Sequence, residues 1–167
     1  MTLTFVTGGA RSGKSSHALR LAAAAGKPVT MIATAEARDA EMAERIAAHR
    51  RERPPGWRTV EEPVDLTGAL RGLAAGEFAI VDCLSLWVSN LLERNDAAAI
   101  ADVAARIATS RAPAILVTNE VGSGIIPFEP ETRRYRDALG TANQRLAEVV
   151  DDVVLMVAGR PLSVPAR

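Results

Sequence analysis

Eight residues near the start of the chain, Gly8-Gly9-Ala10-Arg11-Ser12-Gly13-Lys14-Ser15, carry the spacing G-x-x-x-x-G-K-S. In that pattern glycines let the main chain curl until several N–H groups converge on phosphate oxygens, where a Cβ would stand in the way. Lys14 then reaches the β- and γ-phosphates as a compact charge, and the Ser15 hydroxyl can ligate a Mg²⁺ bridging them. The flanks fit this reading. Leu3-Thr4-Phe5-Val6 is an apolar run of strand type, and a helix-like segment follows whose amino end adds positive charge. Lys14 and Lys27 are the only lysines, against 18 arginines. A planar guanidinium does not replace an ammonium in a tight phosphate nest, so the drift toward arginine has stopped where the chemistry forbids it. The bland alternative is a glycine-rich turn with no ligand.

Three further places could do chemistry. Asp82 ends the apolar run Phe78-Ala79-Ile80-Val81, where the second Mg²⁺-organising carboxylate of a phosphate-loop protein lies; the alternative is a helix N-cap for the segment from Leu84. His49 lies on a predicted helix over 38–53, ended by Pro54, in which Glu41 and Arg45 form an i,i+4 pair. Met42, Ile46, His49 and Arg53 fall on one stripe, which puts His49 on the apolar side, beside a guanidinium cluster of Arg50, Arg51, Arg53 and Arg58 suited to phosphate oxygens. A solvated basic face is the plain alternative. Finally, Thr118-Asn119-Glu120-Val121-Gly122-Ser123-Gly124 follows a strand-like run and reads equally as a substrate or phosphate contact and as an ordinary loop.

The elements that must position these groups are short apolar runs alternating with amphipathic stretches. Runs at 3–6, 29–32, 78–81, 114–117 and 153–157 read as five strands, and the stretches 14–25, 38–53, 84–111 and 131–149 as helices. Continuous apolar strands separated by helices form a mainly parallel sheet covered on both faces, with ligands at the carboxyl ends of the strands. The expected fold is α/β, of the P-loop NTPase (RecA-like) kind, as one domain over 1–167. Trp87, Val88, Leu91 and Leu92 fall at helical spacing and read as core or a subunit face rather than a base-stacking platform. Arg133, Arg134 and Arg136 fit a solvated helix start and an anion site equally.

Twenty basic and twenty acidic residues cancel, which gives no electrostatic reason to expect nucleic acid or a membrane surface as partner. The single cysteine, Cys83, excludes an internal disulfide and any cysteine-rich metal site. With no room for a leader before the phosphate loop and no apolar segment near the ~20 residues that span a bilayer, a cytoplasmic protein is expected.

Taken together, GGARSGKS, Ile32-Ala33-Thr34, the helix ending in His49-Arg50, Trp57-Arg58-Thr59-Val60-Glu61, Asp82-Cys83-Leu84 and Thr118 through Gly124 resemble the bifunctional adenosylcobinamide kinase/adenosylcobinamide-phosphate guanylyltransferase family of cobalamin biosynthesis. The resemblance implies phosphorylation of adenosylcobinamide with ATP or GTP. It then implies transfer of GMP from GTP, through a GMP-histidine intermediate, to give adenosyl-GDP-cobinamide. By position the histidine is His49, with Lys14 as the other catalytic residue. Nucleotide contacts carry over to Gly8, Gly9, Ala10, Arg11, Ser12, Gly13, Lys14 and Ser15, to Thr34, Ala35 and Glu36, to Arg50, Arg51, Glu52 and Arg53, and to Glu61 and Asp82. Mg²⁺ falls to Ser15 and Asp82, and the family's habit implies a homo-oligomer, a trimer. A P-loop kinase of another small alcohol, without guanylyl transfer, is the alternative, and a non-catalytic nucleotide switch is the reading from outside enzymes.

Overall fold

The computed structural model describes residues 2–110 and 112–165, the side chain of Ser110 excepted. Seven strands form one sheet: β1 (Leu3–Gly8), β2 (Val29–Ala33), β3 (Arg58–Glu61), β4 (Phe78–Asp82), β5 (Ala114–Val117), β6 (Asp152–Val157) and β7 (Arg160–Val164). Their order is β3-β2-β4-β5-β1-β6-β7, and every pairing is parallel except the last, where β7 returns antiparallel to β6. The helices are α1 (Lys14–Ala24), α2 (Ala40–Arg51), α3 (Leu66–Arg71), α4 (Leu84–Glu93), α5 (Ala97–Ser110) and α6 (Pro130–Ala147). The parallel α/β sheet expected from the sequence is present, with the P-loop at the end of β1.

The expected strands are all there, and two more complete the sheet. β3 escapes a hydrophobicity reading because its four residues are Arg58, Thr59, Val60 and Glu61, at an edge where only Val60 is partly covered. β7 is exposed throughout and is held by a two-residue hairpin turn, Ala158-Gly159, with positive φ at both positions. The predicted helix over 84–111 is two helices. Asn95 turns the chain at φ 57, and the Asp96 carboxylate accepts the Ala99 N–H at 3.0 Å to start α5. The predicted end at Arg111 lies outside the described residues.

Both faces are covered, unequally. α1 lays Ala18 and Ala22 on Val6, Met31, Ile80, Ile115 and Val117. The opposite face carries the larger core, in which Trp87, Val88 and Leu91 of α4 join Ile100, Val103 and Ile107 of α5 and Leu139 and Leu146 of α6. The stripe on α4 is therefore core. α2 differs from the other long helices in burying no residue fully, and it stands at the carboxyl edge.

One polar side chain pins that edge. Asn90 is nearly the only polar residue on the buried face of α4, and its Nδ2 donates to Thr34 O at 2.8 Å and to Pro63 O at 3.0 Å, while Oδ1 accepts from Arg38 at 2.8 Å. Asn90→Ala leaves two carbonyls in the interior without a donor. A loss of about 1–3 kcal/mol is expected, read as a lower urea midpoint at unchanged m; an unchanged midpoint refutes it.

Candidate active site

The phosphate loop is held from outside by the β6–β7 hairpin. A Cβ on Gly8 would lie 2.5 Å from Met156 O, and one on Gly13 would lie 3.2 Å from Gly159 Cα. Gly13 also sits at φ 94 as the N-cap of α1, so only glycine fits there without strain. Gly159 N–H donates to Ser12 O at 3.0 Å and ties the hairpin turn to the loop. Lys14 is nearly buried, and its Nζ donates to Gly9 O at 2.6 Å. Burial pushes its pKa down, opposed by the negative charge of Asp82. The Ser12 hydroxyl is buried without a hydrogen-bond partner among the described residues. An orphaned donor inside a curled loop is what an oxyanion would satisfy.

Asp82 ends β4 beside the end of β2, where Ala33 is its register partner. It does not cap α4: Cys83 occupies that position and offers no side-chain bond, so the N-cap alternative falls. Thr34 fixes the Asp82–Cys83 peptide bond, which is cis, by donating its hydroxyl to Cys83 O at 2.7 Å and accepting Cys83 N–H at 3.0 Å. A narrow cleft lined by Ser15, Met31, His49, Glu52, Arg53 and Asp82 brings the loop, the acid and the histidine helix together. Burial raises the Asp82 carboxyl pKa, and the positive charges of His49, Arg53 and Lys14 oppose that rise.

Asp39 starts α2 by accepting the Met42 N–H at 2.7 Å, and the Glu41–Arg45 pair forms at 3.7 Å. The stripe reading of α2 needs correction: Met42 and Ile46 are half-buried, but His49 is exposed and stands at the rim of the cleft. The reason is that α2 overhangs the sheet edge instead of packing on a face, so its apolar stripe meets little core. Nδ1 of His49 is 3.6 Å from Glu52 Oε2.

The guanidinium cluster is dispersed by partners. Arg50 pairs with Glu61, Arg53 donates to Thr59 Oγ1 at 3.0 Å, and Arg58 lies 3.7 Å from Glu77. Arg51 is exposed. Beside His49 a wider cleft of about 630 Å³ is walled by Arg50, Arg53, Pro54, Trp57, Thr59 and Glu61. That volume suits a small-molecule ligand. After β2, Glu36 takes both Arg38 and Arg94 at 2.7 Å, and these hydrogen bonds hold its carboxyl below the usual range. Ala35 is half-buried between Thr34 and Glu36.

At the end of β5 a polar network escapes a motif reading because its members come from three elements, the end of β5, α4 and α6. Thr118 donates to Asn143 Oδ1 at 2.9 Å, Asn143 donates back to Asn119 O at 3.1 Å, and Asn119 donates to Ser85 Oγ at 3.0 Å. The Ser85 hydroxyl also meets Cys83 Sγ at 2.9 Å, and the Tyr135 hydroxyl, pushed up to about 12 mainly by burial, donates to Ser85 O at 3.2 Å. The available signal was polar residues interrupting apolar helical stripes at Ser85 and Asn143. Arg133 caps the carbonyls of Pro127 and Phe128, at 2.9 and 2.6 Å, which favours the helix-start reading of that cluster.

The family model described as CobU, cobinamide kinase / cobinamide phosphate guanyltransferase, matches residues 4–164. The bifunctional adenosylcobalamin biosynthesis protein CobP of Pseudomonas aeruginosa is 46% identical over 169 residues, covering 94% of each chain. The proteins of that description called CobU in Salmonella typhimurium and Escherichia coli are 41% and 39% identical over 175 residues, covering 94% of this chain and 96% of theirs. A crystal structure of the RadB recombinase overlies 92% of this chain and 73% of its own, at TM-score 0.43 and 17% identity. With the match running through nearly all of its length, the chain belongs to the cobinamide kinase / cobinamide phosphate guanyltransferase family of bifunctional enzymes.

Proposed function

We propose that this chain phosphorylates adenosylcobinamide with ATP or GTP and then guanylylates the product through a covalent histidine. In the first step the acceptor hydroxyl oxygen bonds to the γ-phosphorus, the bond to the β-bridging oxygen breaks, and the nucleoside diphosphate leaves. Gly8 through Ser15 position the phosphates, and Lys14 answers the charge on the transferring group. In the second step the imidazole of His49 attacks the α-phosphorus of GTP and pyrophosphate leaves. The cobinamide phosphate oxygen then takes the guanylyl group and the P–N bond breaks, giving adenosyl-GDP-cobinamide. Glu52 lies on the Nδ1 side of the ring, at 3.6 Å, which leaves Nε2 as the nitrogen to attack.

The observation that carries this reading is that one cleft is lined by Ser15, Asp82 and His49, so phosphate-binding and nucleophilic groups share a space. Arg50, Arg51, Glu52 and Arg53 follow the nucleophile, and Arg50, Arg53 and Glu61 wall the wider cleft, which takes the nucleoside. Thr34 serves through Asp82, which it braces, and Ala35 and Glu36 border the same edge. Ser15 and Asp82 fit Mg²⁺: one hydroxyl and one carboxylate is the sparse protein set that ion accepts when phosphates and water complete it. When bound, Mg²⁺ neutralises charge on the β- and γ-oxygens.

No helix among the described residues is long and apolar enough to cross a membrane, and a cytoplasmic setting belongs to the same proposal. So does a trimer, supported by the exposed Val157, Leu162 and Val164 on the β6–β7 edge; sedimentation at the monomer mass removes it. The experiment for the chemistry is incubation with α-labelled GTP and Mg²⁺. The expected product is acid-labile, alkali-stable protein-bound GMP, absent from His49→Ala. Unlabelled wild type that still phosphorylates an alcohol selects the plain kinase, which the exposed position of His49 would suit.

A further inference from the structure

We infer that Glu120 takes the proton from the acceptor hydroxyl in the phosphorylation step, an assignment that rests on the kinase reading above. An alcohol attacking phosphorus must lose its proton to something, and the group must stand beside the γ-phosphate end of the loop. Glu120 is placed there by the sheet. β5 runs parallel to β1 with Val117 opposite Val6, and the pairing continues past the strand: Thr118 N–H donates to Val6 O and Glu120 N–H donates to Gly8 O, both at 3.0 Å. The carboxylate therefore springs from a residue abreast of the first glycine of the phosphate loop.

The two residues ahead of it are braced by the Thr118–Asn143 and Asn119–Ser85 bonds, so its approach is set by packed elements. Gly122 N–H donates to Oε1 at 2.5 Å and orients the carboxylate, which leaves Oε2 open.

The other carboxylates of this edge are engaged. Glu36 holds Arg38 and Arg94, Glu52 faces His49, and Glu61 pairs with Arg50. Glu62 accepts the N–H groups of Val64 and Asp65, and Asp82 faces Lys14, Arg53 and His49. Glu120 makes no ion pair among the described residues. It is half-buried, with one oxygen able to accept a proton. In the step, the hydroxyl O–H bond breaks toward Glu120 as the O–P bond forms, and the carboxylic acid returns its proton to water after the nucleoside diphosphate departs.

The test measures phosphorylation of cobinamide and formation of GMP-protein separately, on purified full-length wild type, Glu120→Gln and Glu120→Asp. Expected for Glu120→Gln is a fall in phosphorylation kcat of about 10²–10⁴-fold, with KM for both substrates and the GMP-protein yield within about threefold of wild type. Glu120→Asp restores part of kcat. Undiminished kcat in Glu120→Gln overturns the assignment, as does a change in KM alone, which marks a binding role, or an equal loss of GMP-protein, which marks a structural one. Wild type that phosphorylates no cobinamide overturns the kinase reading and this assignment together.

Discussion

In His49→Ala, guanylyl transfer falls by about 10⁴-fold or more, the scale on which removal of a covalent nucleophile acts, while phosphorylation of cobinamide persists within about tenfold. The two losses separate if, as proposed, the two reactions use different phosphorus atoms. On the proposed mechanism the γ-phosphorus is served by the loop, Lys14 and the acid of β4, none of which His49 orients by a hydrogen bond. A modest change in the kinase rate is still expected, because the imidazole is one of the charges that act on Asp82. The variant is also clean. His49 is exposed and α2 buries no residue fully, so truncating the ring opens no cavity, and stability should stay within about 0.5 kcal/mol of wild type. Rates of the two half-reactions, measured with γ- and α-labelled GTP, check this. Equal loss of both in a folded variant sinks the assignment of His49.

The parts of this site legible in the sequence were those built from consecutive residues. The phosphate loop is a local object: its glycines, lysine and serine stand at fixed offsets, and the strand and helix around it announce themselves by apolar periodicity. Asp82 was legible for the same reason, as an acid at the end of a buried run. The place of His49 on α2 was legible but its exposure was not, because helical spacing gives the face of α2 and not whether anything lies beneath it. β3 and β7 were missed because edge strands bury too little to need apolar residues. The network of Thr118, Asn143, Asn119, Ser85 and Tyr135 is the opposite kind of object. Its residues lie far apart in the chain and meet only when β5, α4 and α6 converge. No spacing rule encodes such a meeting, and Glu120 acquires its meaning only from the register of β5 on β1.

Asp82→Asn should make the ligand-free protein more stable at neutral pH and nearly inactive. In the folded chain burial raises the carboxyl pKa above its ordinary 3.8, and the neighbouring positive charges reduce that rise without cancelling it. A group whose folded pKa is raised contributes stability below its unfolded pKa, and that contribution is lost as pH climbs through the folded value. The unfolded chain therefore ionises this carboxyl more easily than the folded one. The balance already includes the attraction of Lys14 and Arg53, so a neutral isostere of the protonated acid gains. Thermal melts of the two proteins should converge as pH falls toward 4 and diverge as it rises, each kcal/mol gained showing as about 2–4 °C at this chain length. Activity should move the other way, by about 10²-fold or more for phosphorylation, through loss of the carboxylate proposed to organise the phosphate end. A variant less stable than wild type at neutral pH, or melts that do not converge in acid, would show that Asp82 stabilises the fold as an ion pair. The opposed signs follow from a single cause: on the proposed mechanism the function this carboxylate serves and the stability it withholds come from the same burial.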